Sequence, residues 1–305
     1  MTEPNGRTLF TGSGVALVTP FAADGAVDEE AMRELVRFHL REGTDALVVN
    51  GSTGEAVTMS PDEQRRSLEV VVDEVRGAGR KIPVIAGCGG GDTAVVSRLA
   101  ANARAAGADA LLVAQPPYNK PPQRGLIAHF RAVMDAGDLP TILYNIPGRA
   151  AVNILPETIE ALAQDERVVG VKEASGDISQ VAETARRVGD RVALYSGNDD
   201  QVVPLMALGG KGVISVLANV APRDTSRMAH AFLEGNTAEA CALQLRYLPL
   251  IAALFRESNP IPIKAAVAML GLRAGDPRLP LVPASDAVRQ ELEREMRAVG
   301  LLGSS

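Results

Sequence analysis

Short apolar runs rich in Val, Ile, Leu and Ala alternate along this chain with longer stretches whose apolar positions recur every three or four residues. The first kind reads as buried parallel strand, the second as amphipathic helix. Eight strands are expected: Gly14–Phe21, Ala46–Gly51, Ile82–Gly87, Ala110–Gln115, Thr141–Ile146, Val168–Val171, Val192–Tyr195 and Gly212–Leu217. Asp28 opens a helix with Met32, Leu35, Val36 and Leu40 on one face, and Gly43 closes it. Ser60, Pro61 and Glu63 form a capping box with proline at the first helical position, for a helix ending near Gly77. Asp92 or Thr93, Pro156, Asp177 and Pro222 start later helices, and glycines at 107, 137, 189 and 235 stop helices. A short helix from about Asp200 to Leu208 fits between the seventh and eighth strands.

Eight such β-then-α units with short connections specify an α/β protein, a (β/α)8 TIM barrel. A doubly wound sheet is the alternative, but the first βα turn lacks GxGxxG. The run GCGGGD, Gly87 to Asp92, also fails that spacing. It is expected to form a tight turn beside the barrel mouth, with phosphate binding as the other reading. Beyond Gly235 lie three helical segments, Thr237–Phe255, Ile261–Leu270 and Ala284–Val299. The expected division is therefore a barrel over 1–235 and a C-terminal helical appendage over 236–305.

In such a barrel the chemistry sits at the C-terminal ends of the strands. Those ends deliver Ser52, Thr53 and Glu55, then Tyr118 and Asn119, then Tyr144, Asn145 and Arg149. Lys172 follows the sixth strand, Ser196, Gly197 and Asn198 the seventh, and Ile214 and Ser215 lie on the eighth. A lysine at the end of a wholly apolar strand either reaches solvent with its tip or has a task. Burial disfavours its ammonium form and frees a nucleophilic amine. Each neighbour also has an ordinary reading: Ser52 and Thr53 as turn residues, Tyr144 as a barrel-lining aromatic, Arg149 as surface. Their joint placement around one lysine favours a site. An amine amid phenolic and aliphatic hydroxyls suits Schiff-base chemistry on a 2-oxo acid, with hydroxyls moving the proton.

Composition narrows the class. His39, His129 and His230 fall in separate expected helices, so no histidine cluster with metal-ligand spacing is present and no metal is expected. The two cysteines, Cys88 and Cys241, form no CxxC and fit a reducing cytoplasm. A net charge of -6 speaks against a nucleic-acid surface. No apolar run reaches the length needed to span a membrane. A cytoplasmic protein without nucleic-acid or membrane partners is expected.

Six segments in order carry a resemblance: GSTGE at Gly51–Glu55, PYNKP at Pro117–Pro121, YNIPGR at Tyr144–Arg149, GVKEASGD at Gly170–Asp177, GVISVLANVAP at Gly212–Pro222 and ESNPIPIK at Glu257–Lys264. Through them nearly the whole chain resembles the pyruvate-dependent class I aldolases of the N-acetylneuraminate lyase and dihydrodipicolinate synthase group. Arg149 points to the synthase branch, where the arginine of YNxPGR holds the carboxylate of aspartate semialdehyde; a planar guanidinium suits that task. Ser52, where threonine is usual in that branch, looks more like the lyases but keeps the hydroxyl. Asn198 stands where aspartate is common.

The resemblance implies a condensation of pyruvate with L-aspartate 4-semialdehyde in lysine and diaminopimelate biosynthesis. Lys172 would form the imine with pyruvate, so no cofactor is implied. Thr53 would hold the pyruvate carboxylate, and Gly197 and Ile214 would line the pocket through their backbones. Tyr144 would pass protons, linked through Ser52 to Tyr118 of a neighbouring subunit. The implied assembly is a homotetramer, a dimer of dimers. Another pyruvate aldolase of the group, cleaving a sialic acid or a keto-deoxy sugar acid, remains open, as does a barrel that binds a 2-oxo acid without turnover.

In many members of the branch, lysine inhibits from an interface pocket of histidine, asparagine, glutamate and tyrosine side chains. The matching positions here are Pro61, Gln64, Gly91, Val95 and Pro117, which offer almost nothing to a buried ammonium. A coupled assay is expected to show little or no inhibition by lysine; half-inhibition at sub-millimolar lysine would contradict this.

Overall fold

The computed structural model describes residues 7–303. Eight parallel strands close into a barrel in sequence order. They are β1 (Gly12–Ala16), β2 (Ala46–Val49), β3 (Val84–Cys88), β4 (Ala110–Ala114), β5 (Thr141–Asn145), β6 (Val168–Glu173), β7 (Ala193–Ser196) and β8 (Gly212–Ser215). The connecting helices are α1 (Glu29–Glu42), α2 (Pro61–Gly77), α3 (Thr93–Ala105), α4 (Gln123–Gly137), α5 (Pro147–Ala150), α6 (Pro156–Leu162), α7 (Ile178–Val188), α8 (Val202–Ala207) and α9 (Pro222–Leu233). Three more follow: α10 (Thr237–Leu254), α11 (Ile261–Met269) and α12 (Asp286–Ala298). Among the described residues, no helix is long and apolar enough to cross a membrane.

The caps form where the sequence places them. Asp28 accepts from Ala31 N, and Gly43 takes a left-handed conformation at the end of α1. Ser60 and Glu63 complete a reciprocal capping box at α2, with Pro61 at the first turn. Asp177 caps α7 by accepting from Ser179 N and Gln180 N. The apolar face of each long helix then packs on the outer face of the strands.

Two apolar layers result. One lies between strands and helices and continues into α10, α11 and α12. The other fills the barrel interior. Phe10, just ahead of β1, stacks on Tyr195 at 4.4 Å, and the Tyr195 hydroxyl donates to the Phe10 carbonyl at 2.7 Å. This closes the end of the barrel away from the strands' C-termini.

Most strand ends shift by one or two residues from the sequence reading, and three differences are larger or bear on the strand ends that carry chemistry. β1 spans Gly12–Ala16 instead of Gly14–Phe21. Leu17 N still reaches Val48 O at 3.0 Å, but Pro20 has no N–H and the chain leaves the sheet. β6 continues two residues past Val171, because Lys172 and Glu173 pair with Tyr144 and Asn145 on one side and Tyr195 and Ser196 on the other. The four-residue helix α5, too short to show a periodicity, carries Arg149.

A buried ion pair ties the β2 loop to the C-terminal helices. Lys264 Nζ lies 2.8 Å from Glu55 Oε1, and each side chain is 1% exposed. The ammonium also donates to the Asp276 carbonyl at 3.1 Å and lies over the Phe21 ring. Glu55 Oε2 accepts from Arg278 N at 2.9 Å. Removing one member leaves a charge in a dry site. Lys264→Met is expected to destabilise the protein by about 3–5 kcal/mol in urea or thermal unfolding; a loss within experimental scatter would refute this.

Candidate active site

β5, β6 and β7 bring the central groups together. Tyr144 and Lys172 are register partners on adjacent strands. Both point into the barrel, and Lys172 Nζ lies 4.3 Å from the centroid of the Tyr144 ring. Both side chains are buried, Lys172 at 4% exposure. Burial pulls the lysine down to about 8. The Asp199 carboxylate opposes that fall, and the Arg149 guanidinium adds to it. A free amine is thus present in substantial amount near pH 8, where an ordinary lysine is almost wholly protonated.

Tyr144 is held the other way. Burial pushes its phenol well above the usual range, against the pull of Arg149 and of a hydrogen bond with Ser52. It remains a neutral phenol, able to donate one proton and accept another. Ser52 and Thr53 come from the loop after β2. The buried Thr53 hydroxyl oxygen accepts from Asn259 Nδ2 at 2.9 Å, leaving its own proton free to donate.

Gly197 leaves room for the lysine stem. A Cβ there would stand 2.7 Å from Ala174 Cβ and 3.1 Å from Lys172 Cε. Its N–H is committed to the Glu173 carbonyl at 2.7 Å. Ile214 sits on β8 in the interior layer. Arg149 is exposed at the mouth, where Nη2 donates to the Asn259 carbonyl at 2.5 Å.

Residues 9–299 match the family described as the dihydrodipicolinate synthetase family. The 4-hydroxy-tetrahydrodipicolinate synthase of Thermoanaerobacter sp. (strain X514) is 49% identical over 295 residues, covering 96% of this chain and 98% of the relative. The enzyme of the same name from Pelobacter propionicus is 46% identical over 294 residues, 96% of this chain and all of the relative. A crystal structure of dihydrodipicolinate synthase from Cyanidioschyzon merolae with lysine bound superposes with a TM-score of 0.93 at 41% identity, covering 97% of this chain and 100% of that one. The chain belongs to the dihydrodipicolinate synthetase family.

Within this family member, one residue singled out by sequence stands apart from the others. Tyr118 is 91% exposed, has φ 71°, and makes no hydrogen bond to Ser52 or Tyr144 in this chain. Among the described residues no group of three or more His, Cys, Asp or Glu could hold a metal ion. His39 and His129 are buried in α1 and α4, and His230 pairs with Asp45 at 3.0 Å.

Sequence reasoning missed two residues. Asp199 is buried beside β8, where Oδ2 accepts from Val216 N and Leu217 N at 3.0 and 2.9 Å. Burial raises its pKa, while its hydrogen bonds with Ser215, Leu217 and Val216 and the Lys172 charge act against that rise. Asn259 bridges Thr53 and Arg149, the two residues expected to hold carboxylates. It lies within ESNPIPIK, so the motif was visible, but nothing in sequence placed that segment over the barrel mouth.

Proposed function

We propose that this protein condenses pyruvate with L-aspartate 4-semialdehyde to give 4-hydroxy-tetrahydrodipicolinate, in lysine and diaminopimelate biosynthesis. The observation that carries the reading is a buried amine of lowered pKa lying on the face of a tyrosine within the barrel. The family assignment and the relatives of that name give the substrates their identity.

The Lys172 amine adds to the pyruvate carbonyl carbon, and water leaves as the imine forms. Thr53 donates its free hydroxyl proton to the pyruvate carboxylate. Tyr144, bonded to Ser52, carries the proton between the amine, the departing oxygen and solvent. A proton passes from the methyl group of the imine to the Tyr144 relay, giving the enamine, whose carbon attacks the aldehyde carbon while the aldehyde oxygen takes a proton back from that relay to become the hydroxyl. The semialdehyde's own amine then displaces Lys172 and closes the ring, returning the free lysine. The exposed Arg149 meets the semialdehyde carboxylate at the mouth. No group beyond these side chains is required.

Tyr118 belongs to this scheme through assembly. Its exposed ring completes the Ser52–Tyr144 relay of a neighbouring subunit, in a homotetramer built as a dimer of dimers. One related structure is described as a monomeric dihydrodipicolinate synthase variant, so assembly is a property to measure for each member.

The test is turnover of pyruvate plus aspartate semialdehyde by the purified protein, followed with dihydrodipicolinate reductase. N-acetylneuraminate and keto-deoxy sugar acids are assayed alongside. Synthase turnover is expected, with borohydride and pyruvate leaving a stable adduct on Lys172 that Lys172→Ala lacks. Cleavage of a sugar acid without synthase turnover would overturn the substrate assignment, and absence of the adduct would overturn the mechanism.

A further inference from the structure

Lys172 faces the barrel interior only because β6 breaks its own alternation. The β5–β6 pairing passes from Thr141 opposite Val168 to Ile142 opposite Gly170, so β6 holds one residue more than β5 at this step. Val168 packs in the outer layer and Val169 in the interior. A Cβ on Gly170 would lie 2.9 Å from Tyr195 and 3.2 Å from Ile142, both interior residues, so this position faces inward as well. Two inward positions in succession reset the phase. Val171 then faces out, Lys172 in over Tyr144, and Glu173 out. Strict alternation from Val168 would have put Lys172 against the helices and the Glu173 carboxylate inside the barrel.

A reset of this kind needs something to hold it at the functional end. On the outer face, directly behind the Tyr144–Lys172 pair, Asn145 stands opposite Glu173. Asn145 Nδ2 lies 3.1 Å from each Glu173 carboxylate oxygen. Glu173 also accepts from Ser175 N at 2.7 Å and from Gln180 Nε2 at 3.4 Å. Asn145 donates to Asn153 Oδ1 at 2.8 Å and accepts from Ile154 N and Gln115 Nε2 at 3.0 and 3.2 Å. Both side chains are buried, at 0% and 3% exposure. A one-residue slip of β6 would swing the carboxylate into the apolar interior without these donors.

We propose that Asn145 and Glu173 are positioning residues: their buried hydrogen-bonded pairing on the outer face locks the bulged register that holds Lys172 over Tyr144. The inference rests on Lys172 being the imine-forming amine. It assigns the pair no contact with substrate; they act through the strand geometry alone.

The test measures the rate of pyruvate imine trapping by borohydride, with thermal unfolding in parallel, for Glu173→Gln, Asn145→Asp and the double exchange. Glu173→Gln replaces one of the two oxygens that Asn145 Nδ2 reaches with an NH2 that cannot accept, and removes the charge that strengthens the bond to the other. It is expected to slow imine formation by about tenfold or more in protein that still folds, since a displaced reacting group is costly in rate. Asn145→Asp places two carboxylates together and should slow it further. The double exchange restores a donor facing an acceptor with reversed polarity and should recover part of the rate. Folded Glu173→Gln with a rate within about twofold of the parent, or a double exchange whose effects simply add, would overturn the proposal.

If Glu173→Gln does not fold, Gln180→Ala removes one donor from the same carboxylate at its half-buried end. It should slow imine formation measurably, and an unchanged rate there would also overturn the proposal. Lys172→Ala separates the two claims. An adduct persisting without Lys172 refutes the imine assignment, whereas its loss alongside an unchanged Glu173→Gln rate refutes the register lock alone.

Discussion

The structure depends on keeping one lysine amine inside an apolar barrel. In water that amine would hold its proton far above neutral pH and be inert toward carbonyls. At 4% exposure burial brings it to about 8, and the nearby Asp199 carboxylate keeps it from falling further. Several local features follow from housing it. Gly197 gives its stem space, Tyr144 offers a ring face in place of water, and the β6 bulge turns it inward. Each is a backbone or packing choice that would be unremarked elsewhere in the fold.

A second constraint comes from outside the eight βα units. The loop after β2 carries Ser52 and Thr53, and it is fixed from the C-terminal side. Asn259 holds the Thr53 hydroxyl and the Arg149 guanidinium, while Lys264 reaches Glu55 in a dry pocket. The apolar layer that joins α10, α11 and α12 to the barrel brings these groups to the mouth. The helices past residue 235 therefore take part in shaping the site as well as covering apolar surface.

Much of this was legible in the sequence, for physical reasons that differ from residue to residue. The strands and helices showed through periodicity and punctuation: Asp28, Ser60 with Glu63, and Asp177 cap as their types suggest. Lys172, Tyr144, Ser52 and Thr53 could be gathered because barrel topology places every strand end on one rim. The bulge could not be read, since Val168–Val171 is apolar throughout and shows no phase to break. Asp199 lies in the polar stretch Asn198–Asp200, where its type gives no cue, and only burial distinguishes it. Asn259 and Lys264 sit in a motif whose distance along the chain hid its nearness to Thr53 and Glu55. Tyr118 is a different case: its ring is 91% exposed and makes no hydrogen bond to Ser52 or Tyr144 in this chain, so the motif that carries it shows nothing of its role here.

The most direct test of the account is the pH dependence of imine formation between pyruvate and the intact protein, measured under single-turnover conditions. A free amine is the reacting species, so the rate should rise with pH and level off through a midpoint of about 8, set by Lys172. The ordinary lysine value is 10.5, and a midpoint there would mean that the amine reacts from water, contradicting the buried site on which the structure is built.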